Sequence, residues 1–348
     1  MDFKEEYDIL KDKVEQALDG FFKKEIKAAA NNESIVNIRN ACLNKGKRIR
    51  PISLIAGYDA IKGDRGEGVV DAACSLEILH AYFLIHDDIM DQDRIRRNKD
   101  TLHIVYQKKL GDSGLPTAQA IRGGENLAIL DGDICCALAK KPILNSNFSP
   151  ERKCAALEEL IDIELKTGFG QRLDEMSKHG PVQNPVEYVQ QIHKYKIAWY
   201  THAGPLRIGA KLAGATNSQI AALTDYGLAV GLAFQIKDDM MGVLSPDSLK
   251  KAKNDITEGK LTMPVAMLLT CGNEEQIDAV KGYMGKPLTA EDTQKVIAIL
   301  TDSGALANCQ EMAESYVTKA QRVLQTNTNL LNREFLSSLA DYVINRTR

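Results

Sequence analysis

The sequence predicts an all-α protein, a single large helical bundle around a central cavity, and three observations carry that prediction. Apolar positions recur at spacings of three and four almost everywhere along the chain. Alternating β-branched runs are few, and ten prolines argue further against sheets. Two strongly apolar stretches each end in clustered aspartates, at Asp87 to Asp91 and at Asp238-Asp239. With 348 residues and 44% apolar content, the chain can bury a large core.

In chain order, the periodicity predicts helices over 5–30, 35–43, 51–61, 68–91, 119–140, 151–176, 185–212, 218–243, 262–270, 274–284, 290–303 and 305–324. The breaks fall at turn chemistry: Gly63-Asp64-Arg65, Gly111 to Pro116, Asn145 to Pro150, His179 to Asn184, Ser245-Pro246-Asp247 and Gly285 to Pro287. Thr289 to Asp292 has the form of a capping box. No break is long or low in complexity and no short repeat is visible, so one domain over 1–348 is expected.

A net charge of -3 leaves no basic footprint for nucleic acid or an anionic membrane, so any positive charge that matters is local. Seven cysteines, with Cys135 and Cys136 adjacent in apolar sequence, read as reduced core residues and fit a cytoplasmic setting. The first residues, MDFKEEYDILKDKVEQAL, lack the basic start, apolar middle and cleavage site of a signal peptide. No run of about 18 apolar residues is read as a bilayer span.

The most informative segment is LIHDDIMDQDRIRR, Leu84 to Arg97. Residues four apart share a helix face, so Asp87 and Asp91 point the same way with Asp88 beside them, and Arg96 and Arg97 follow within about three turns. Magnesium prefers oxygen ligands and binds through one or two carboxylates plus the phosphate oxygens of a substrate, so an incomplete cluster suits it. An acidic string alone is usually a solvated face. Here the preceding CSLEILHAYFLI is apolar on nearly every side, which makes the helix central, and unpaired buried charge costs several kcal/mol per group unless cations compensate it. GLAFQIKDDMMG, Gly231 to Gly242, repeats the arrangement.

These motifs make the chain similar, over nearly its whole length, to the all-trans isoprenyl diphosphate synthases, the makers of farnesyl, geranylgeranyl and longer prenyl diphosphates. The resemblance implies that Asp87, Asp88 and Asp91 form the first aspartate-rich motif and Asp238 leads the second, together holding three magnesium ions. Gly242 stands where the second motif normally ends in another aspartate, which implies weaker affinity for the third ion. GKRIRP, Gly46 to Pro51, resembles the isopentenyl diphosphate site, with Lys47 and Arg50 on the diphosphate and His80 assisting; such cations hold an anion without a metal. Alone it would read as a solvated turn. Arg96 and Arg97 match the arginine pair of the family, one for each substrate's diphosphate, and Gln171, Asp174, Lys196, Gln235 and Lys260 fall on further motif positions. Ile197 replaces a common threonine and leaves the proton acceptor open, the leaving diphosphate being one candidate. Lys251 is expected in a loop that closes over the phosphates.

The reaction implied is head-to-tail prenyl transfer: ionisation of an allylic diphosphate, attack by isopentenyl diphosphate, and proton loss. Asp87, Asp88, Asp91, Arg96, Lys196, Asp238 and Lys260 are the expected catalytic group. Phe83, four residues before Asp87 and one turn down the same face, with Tyr82 beside it, is expected to plug the cavity for the growing tail; the plainer reading is a ring packed sideways in the core. Products from farnesyl to geranylgeranyl diphosphate are expected, with the plug favouring farnesyl. Three rival readings are a class I terpene cyclase, which has no use for Lys47, Arg50 and His80; a silent partner subunit, which Gly242 and Ile197 favour; and a di-iron bundle, prompted by Glu77-Ile78-Leu79-His80, which needs a second Glu-x-x-His. A homodimer follows from the resemblance alone.

Overall fold

A computed structural model describes residues 2–63, 66, 68–180, 182–244 and 255–345. The described chain is helical apart from one two-stranded ribbon. α1 (Phe3–Ala28), α2 (Glu33–Leu43), α3 (Ile49–Lys62) and α4 (Val69–Met90) lead to strands β1 (Ile95–Arg96) and β2 (Lys99–Asp100). There follow α5 (Leu102–Asp112), α6 (Thr117–Leu138), α7 (Lys141–Leu144), α8 (Pro150–Ser177) and α9 (Pro185–Ile192). After a π-helical segment (His193–Ala203) come α10 (Gly204–Ala213), α11 (Asn217–Leu244), α12 (Met263–Cys271), α13 (Glu274–Tyr283), α14 (Ala290–Asp302), α15 (Ala305–Thr326) and α16 (Arg333–Asn345).

α4 is the central element: Ala72 to Leu79 are buried without a gap, as expected for a helix apolar all round. Among the described residues it is also the one helix long and apolar enough to cross a membrane, contrary to the sequence reading. Of its most apolar window, however, 61% is buried inside the protein. One hydrophobic cluster surrounds α4 with residues of α1, α3, α6, α8 and α10, and a second lies among α9 and α12 to α15. α11 runs through both, contributing Tyr226 and Val230 to the first and Ile236 and Met240 to the second.

Most predicted helices form within a few residues of their expected limits, and the Thr289–Asp292 capping box closes as expected. Three expectations need correction, and the turn that follows α4 adds a feature the periodicity does not give. Arg96 and Arg97 are not on the aspartate helix: α4 ends at Met90, Asp91 caps it, and the arginines sit on β1 and in the turn after it, Arg97 with φ 51°. Turning the chain back this way returns a guanidinium to the helix end. The expected helix over 185–212 divides, because Pro205 has no N–H to donate and Gly204 precedes it, so the ladder widens into the π segment before α10 begins. α5 and α16 were not predicted; α5 carries the adjacent β-branched pair Ile104-Val105, which masks a helix, whereas Phe335, Leu336, Leu339 and Ala340 in α16 have helical spacing that was legible. All seven cysteines are free as expected, but Cys154 and Cys271 are exposed and not core residues. The expected break at 245–247 lies outside the described residues.

Two close approaches fix the frame around the π segment. A Cβ on Gly57 would stand 2.2 Å from the Leu206 carbonyl oxygen and one on Gly209 1.9 Å from that of Leu54, so α3 and α10 meet backbone to backbone. The π segment turns His202 inward, where it is fully buried and its Nδ1 lies 3.2 Å from Ser53 Oγ on α3. Burial holds its pKa down to about 3, with the Arg50 charge adding to the effect. An unfolded histidine titrates near ~6.5, so below that pH the unfolded chain takes up the extra proton and stability is lost as pH falls towards the folded value. H202Q removes this titration: the urea stability lost between pH 7 and pH 4.5 should be smaller in H202Q than in wild type by about 2.5 kcal/mol. Equal losses would show that His202 is not held neutral.

Candidate active site

The carboxylates at the end of α4 are arranged against electrostatics twice over, since α4 is buried and its C-terminus is the negative end of the helix dipole. Cations from four other segments gather there. Asp87 accepts from Gln171 Nε2 at 3.1 Å and lies 3.9 Å from Lys196 Nζ, which is held 2.6 Å from Asp174. Asp91 takes Lys260 at 3.0 Å and Lys178, at the end of α8, at 3.3 Å. Because Gln171, Asp174 and Lys178 share one face of α8, Asp87 and Asp91 do point the same way, as the spacing predicts. Asp88 turns away to a close ion pair with Arg96, which also reaches Asp93 at 3.2 Å and Asp87 at 3.8 Å.

The environments separate these carboxylates. Burial lifts the Asp88 pKa to about 7 against the pull of Arg96, helped by neighbouring Asp93 and Asp87. Asp91 feels a similar burial penalty, yet Lys260, Lys178 and Lys196 together hold it below the ordinary value. Lys260 is raised in turn: burial opposes its charge, but Asp91 and Glu258 more than offset that.

On α11 the two aspartates divide the work. Asp239 is buried and faces His193 Nε2 at 3.1 Å, the backbone N–H of Met263 at 2.9 Å and Gln235 Nε2 at 2.8 Å. It ties α11 to the π segment and to the start of α12, and so places Lys260 where it meets Asp91. Asp238, half-buried, has a different direction from α11, as its neighbouring position requires. Gln235 therefore serves Asp239 in this structure. Among the described residues no three acidic, histidine or cysteine side chains converge as a ready metal cluster. The donor chemistry fits a magnesium ion that takes part of its shell from a substrate. Lys251 lies outside the described residues.

Two cavities open from this region. One of about 470 Å³ is lined by Lys45, Lys47, Arg48, Arg50, Glu77, His80, Arg97 and Phe234, and is strongly cationic. The other, about 290 Å³, runs from Asp87, Gln171 and Lys196 down to Tyr82, Phe83, Met90, Ile197 and Tyr200. Arg50 and His80 border both. Phe83 stacks edge-on against Tyr200 at 5.1 Å and packs 4.8 Å from Tyr82, so the two rings line the apolar cavity.

Tyr200, on the π segment, was not singled out in the sequence. The Arg50 guanidinium sits 3.9 Å over its ring and its hydroxyl bonds His80 Nδ1. Burial, then Arg50, Arg97 and Arg96, hold the His80 pKa well below the ordinary value, so it is a neutral hydrogen-bonding group. Lys178 was also missed; a lysine just after a helix carries no distinguishing signal. Gly170 explains how the π segment approaches, since a Cβ there would meet the Lys196 nitrogen at 2.3 Å. Arg48 is structural: its buried guanidinium pairs with Glu77 at 2.6 Å and Glu15 at 3.1 Å and is also bonded to the Cys42 carbonyl.

An all-helical frame with two aspartate-ended helices, a cationic pocket and an adjoining apolar one defines the helical prenyltransferases. The polyprenyl synthetase family model matches residues 32–300, and the chain belongs to that family. It is 32% identical over 306 residues to a short chain isoprenyl diphosphate synthase of Methanothermobacter thermautotrophicus, covering 86% of each chain. It is 30% identical to a geranylfarnesyl diphosphate synthase of Aeropyrum pernix, over 87% of this chain and 91% of that one. A crystal structure of geranylgeranyl pyrophosphate synthase from Corynebacterium glutamicum, complexed with isoprenyl diphosphate and magnesium, superposes with a TM-score of 0.87 at 28% identity over 100% of both chains.

Because Arg48 and Glu77 are both buried, removing one charge strands the other. E77Q should lower urea stability by about 3 kcal/mol, and an unchanged unfolding midpoint would contradict the pairing.

Proposed function

We propose that the chain condenses isopentenyl diphosphate with allylic diphosphates, namely dimethylallyl, geranyl and, at the limit, farnesyl, to give farnesyl and geranylgeranyl diphosphate. The observation that carries the reading is the pair of cavities sharing Arg50 and His80, one cationic and independent of metal, the other apolar below Asp87, Gln171 and Lys196. In this reading Lys47, Arg50 and Arg97 hold the diphosphate of isopentenyl diphosphate, with His80 as a neutral partner. The allylic tail lies along Ile197 towards Phe83, and its diphosphate faces Asp87, Lys196 and Lys260.

Asp87, Asp91 and Asp238, together with the substrate's own oxygens, would hold magnesium, which would supply charge neutralisation for the leaving diphosphate. Lys196 and Lys260 add fixed positive charge in a partly dry site, where such charge counts most. Arg96 keeps Asp88 in place behind the site. The rings of Tyr200 and Phe83 shield the cation from water. Ile197 offers no hydroxyl, so the departing diphosphate takes the proton. Gly242 adds no carboxylate to α11, so affinity for a third magnesium ion would be weakened.

The whole chain acts as one domain, since α11 joins both hydrophobic clusters and both contribute to the site. The exposed apolar residues Leu127, Leu130 and Ile134 on α6 and Ile161, Leu165 and Phe169 on α8 suit a homodimer. Free cysteines are in keeping with a reducing cytoplasm. Both pockets are retained, which disfavours the silent-subunit and cyclase readings.

Purified protein with magnesium, labelled isopentenyl diphosphate and single primers should extend dimethylallyl and geranyl diphosphate and stop at farnesyl or geranylgeranyl diphosphate. No condensation with any primer would refute the reading. Replacing Tyr82 and Phe83 together by alanine should lengthen the product by at least one prenyl unit; an unchanged product would mean the rings do not set its length.

A further inference from the structure

The family model matches residues 32–300, so α1 and α16 both lie outside the matched span. These two helices meet. Phe3 packs 5.1 Å from Phe335 and 5.8 Å from Tyr342, and Tyr7 packs 5.9 Å from Tyr342. From that ring cluster α1 directs two side chains at the floor of the cationic pocket. The Tyr7 hydroxyl donates to the Lys47 carbonyl at 2.8 Å, and Glu15 accepts from Arg48 Nε at 3.1 Å.

The loop they hold needs holding. Arg48 has φ 56°, a left-handed conformation that costs a non-glycine residue of order 1 kcal/mol or more and persists only where the surroundings over-determine it. Its side chain is committed to Glu15, Glu77 and the Cys42 carbonyl, so the exposed cations of the loop are Lys45 and Lys47, and Lys47 is the one whose backbone α1 reaches. What fixes the Lys47 backbone on its other side is Tyr7.

We propose that α1, clasped by α16, is a positioning device for the phosphate loop: Tyr7 sets the placement of Lys47 and thereby the affinity for the homoallylic diphosphate alone. The proposal rests on the cationic pocket being the isopentenyl diphosphate site. The allylic diphosphate faces Asp87, Lys196 and Lys260, on α4, the π segment and the approach to α12, whereas the Tyr7 hydroxyl donates to the Lys47 carbonyl, so the effect is confined to one substrate.

Y7F keeps the ring packing and removes only the hydroxyl. In steady-state assays it should raise KM for isopentenyl diphosphate about fivefold, the worth of one hydrogen bond, with kcat and the KM for geranyl diphosphate unchanged. F3A, which loosens the ring cluster, should shift the same constant. Calorimetry of inorganic diphosphate without magnesium should show binding weakened by about the same factor in Y7F. Unchanged isopentenyl diphosphate KM and diphosphate affinity would overturn the proposal, as would equal KM increases for both substrates. If wild type condensed nothing, the proposed function would fall, while the calorimetric comparison would still decide whether Tyr7 governs the pocket.

Discussion

The structure depends on three carboxylates placed at the negative end of a buried helix. Asp87, Asp88 and Asp91 have burial and the helix dipole against them, and the fold answers with Arg96, Lys178, Lys196 and Lys260. Each cation arrives on a different element: the β1 strand, the end of α8, the π segment and the approach to α12. The site is thereby the point on which these elements converge. A cluster so compensated is stable without a ligand yet keeps charges of both signs within reach of one.

Supplying those cations sets the demands on the remaining backbone. A β-turn after α4 is needed to bring Arg96 back to Asp88. Lys196 reaches the site because Gly170 lets the π segment lie against α8. Lys260 reaches Asp91 because Asp239 pins the Met263 N–H to α11. Thus Asp239 of the second motif is structural, and its neighbour Asp238 carries the proposed ligand role. Several residues conspicuous as charge serve the frame instead of the substrate, with Arg48 the clearest case.

The helical class, the central helix and the shared face of Asp87 and Asp91 were legible because they follow from local periodicity. Residue roles separated by direction were not. Nothing in KRIR distinguishes Arg48, which has a left-handed backbone and a guanidinium committed to Glu15 and Glu77, from its pocket neighbours Lys47 and Arg50. Tyr200 looked like one aromatic in a helix, since its meeting with Arg50 and His80 comes from segments about 120 to 150 residues apart and from the extra residue per turn of the π segment. The turn after Asp91 that reverses the chain and brings Arg96 back was not legible, because it has no glycine or proline to announce it.

The central claim is that the carboxylate site is incomplete until a diphosphate supplies the missing oxygens. Calorimetric titration of magnesium into the protein, with and without an unreactive thiolo analogue of geranyl diphosphate, tests it directly. The account predicts weak magnesium binding to the protein alone, tight binding with the analogue present, and loss of that enhancement in D87N. Equally tight binding with and without the analogue would contradict it.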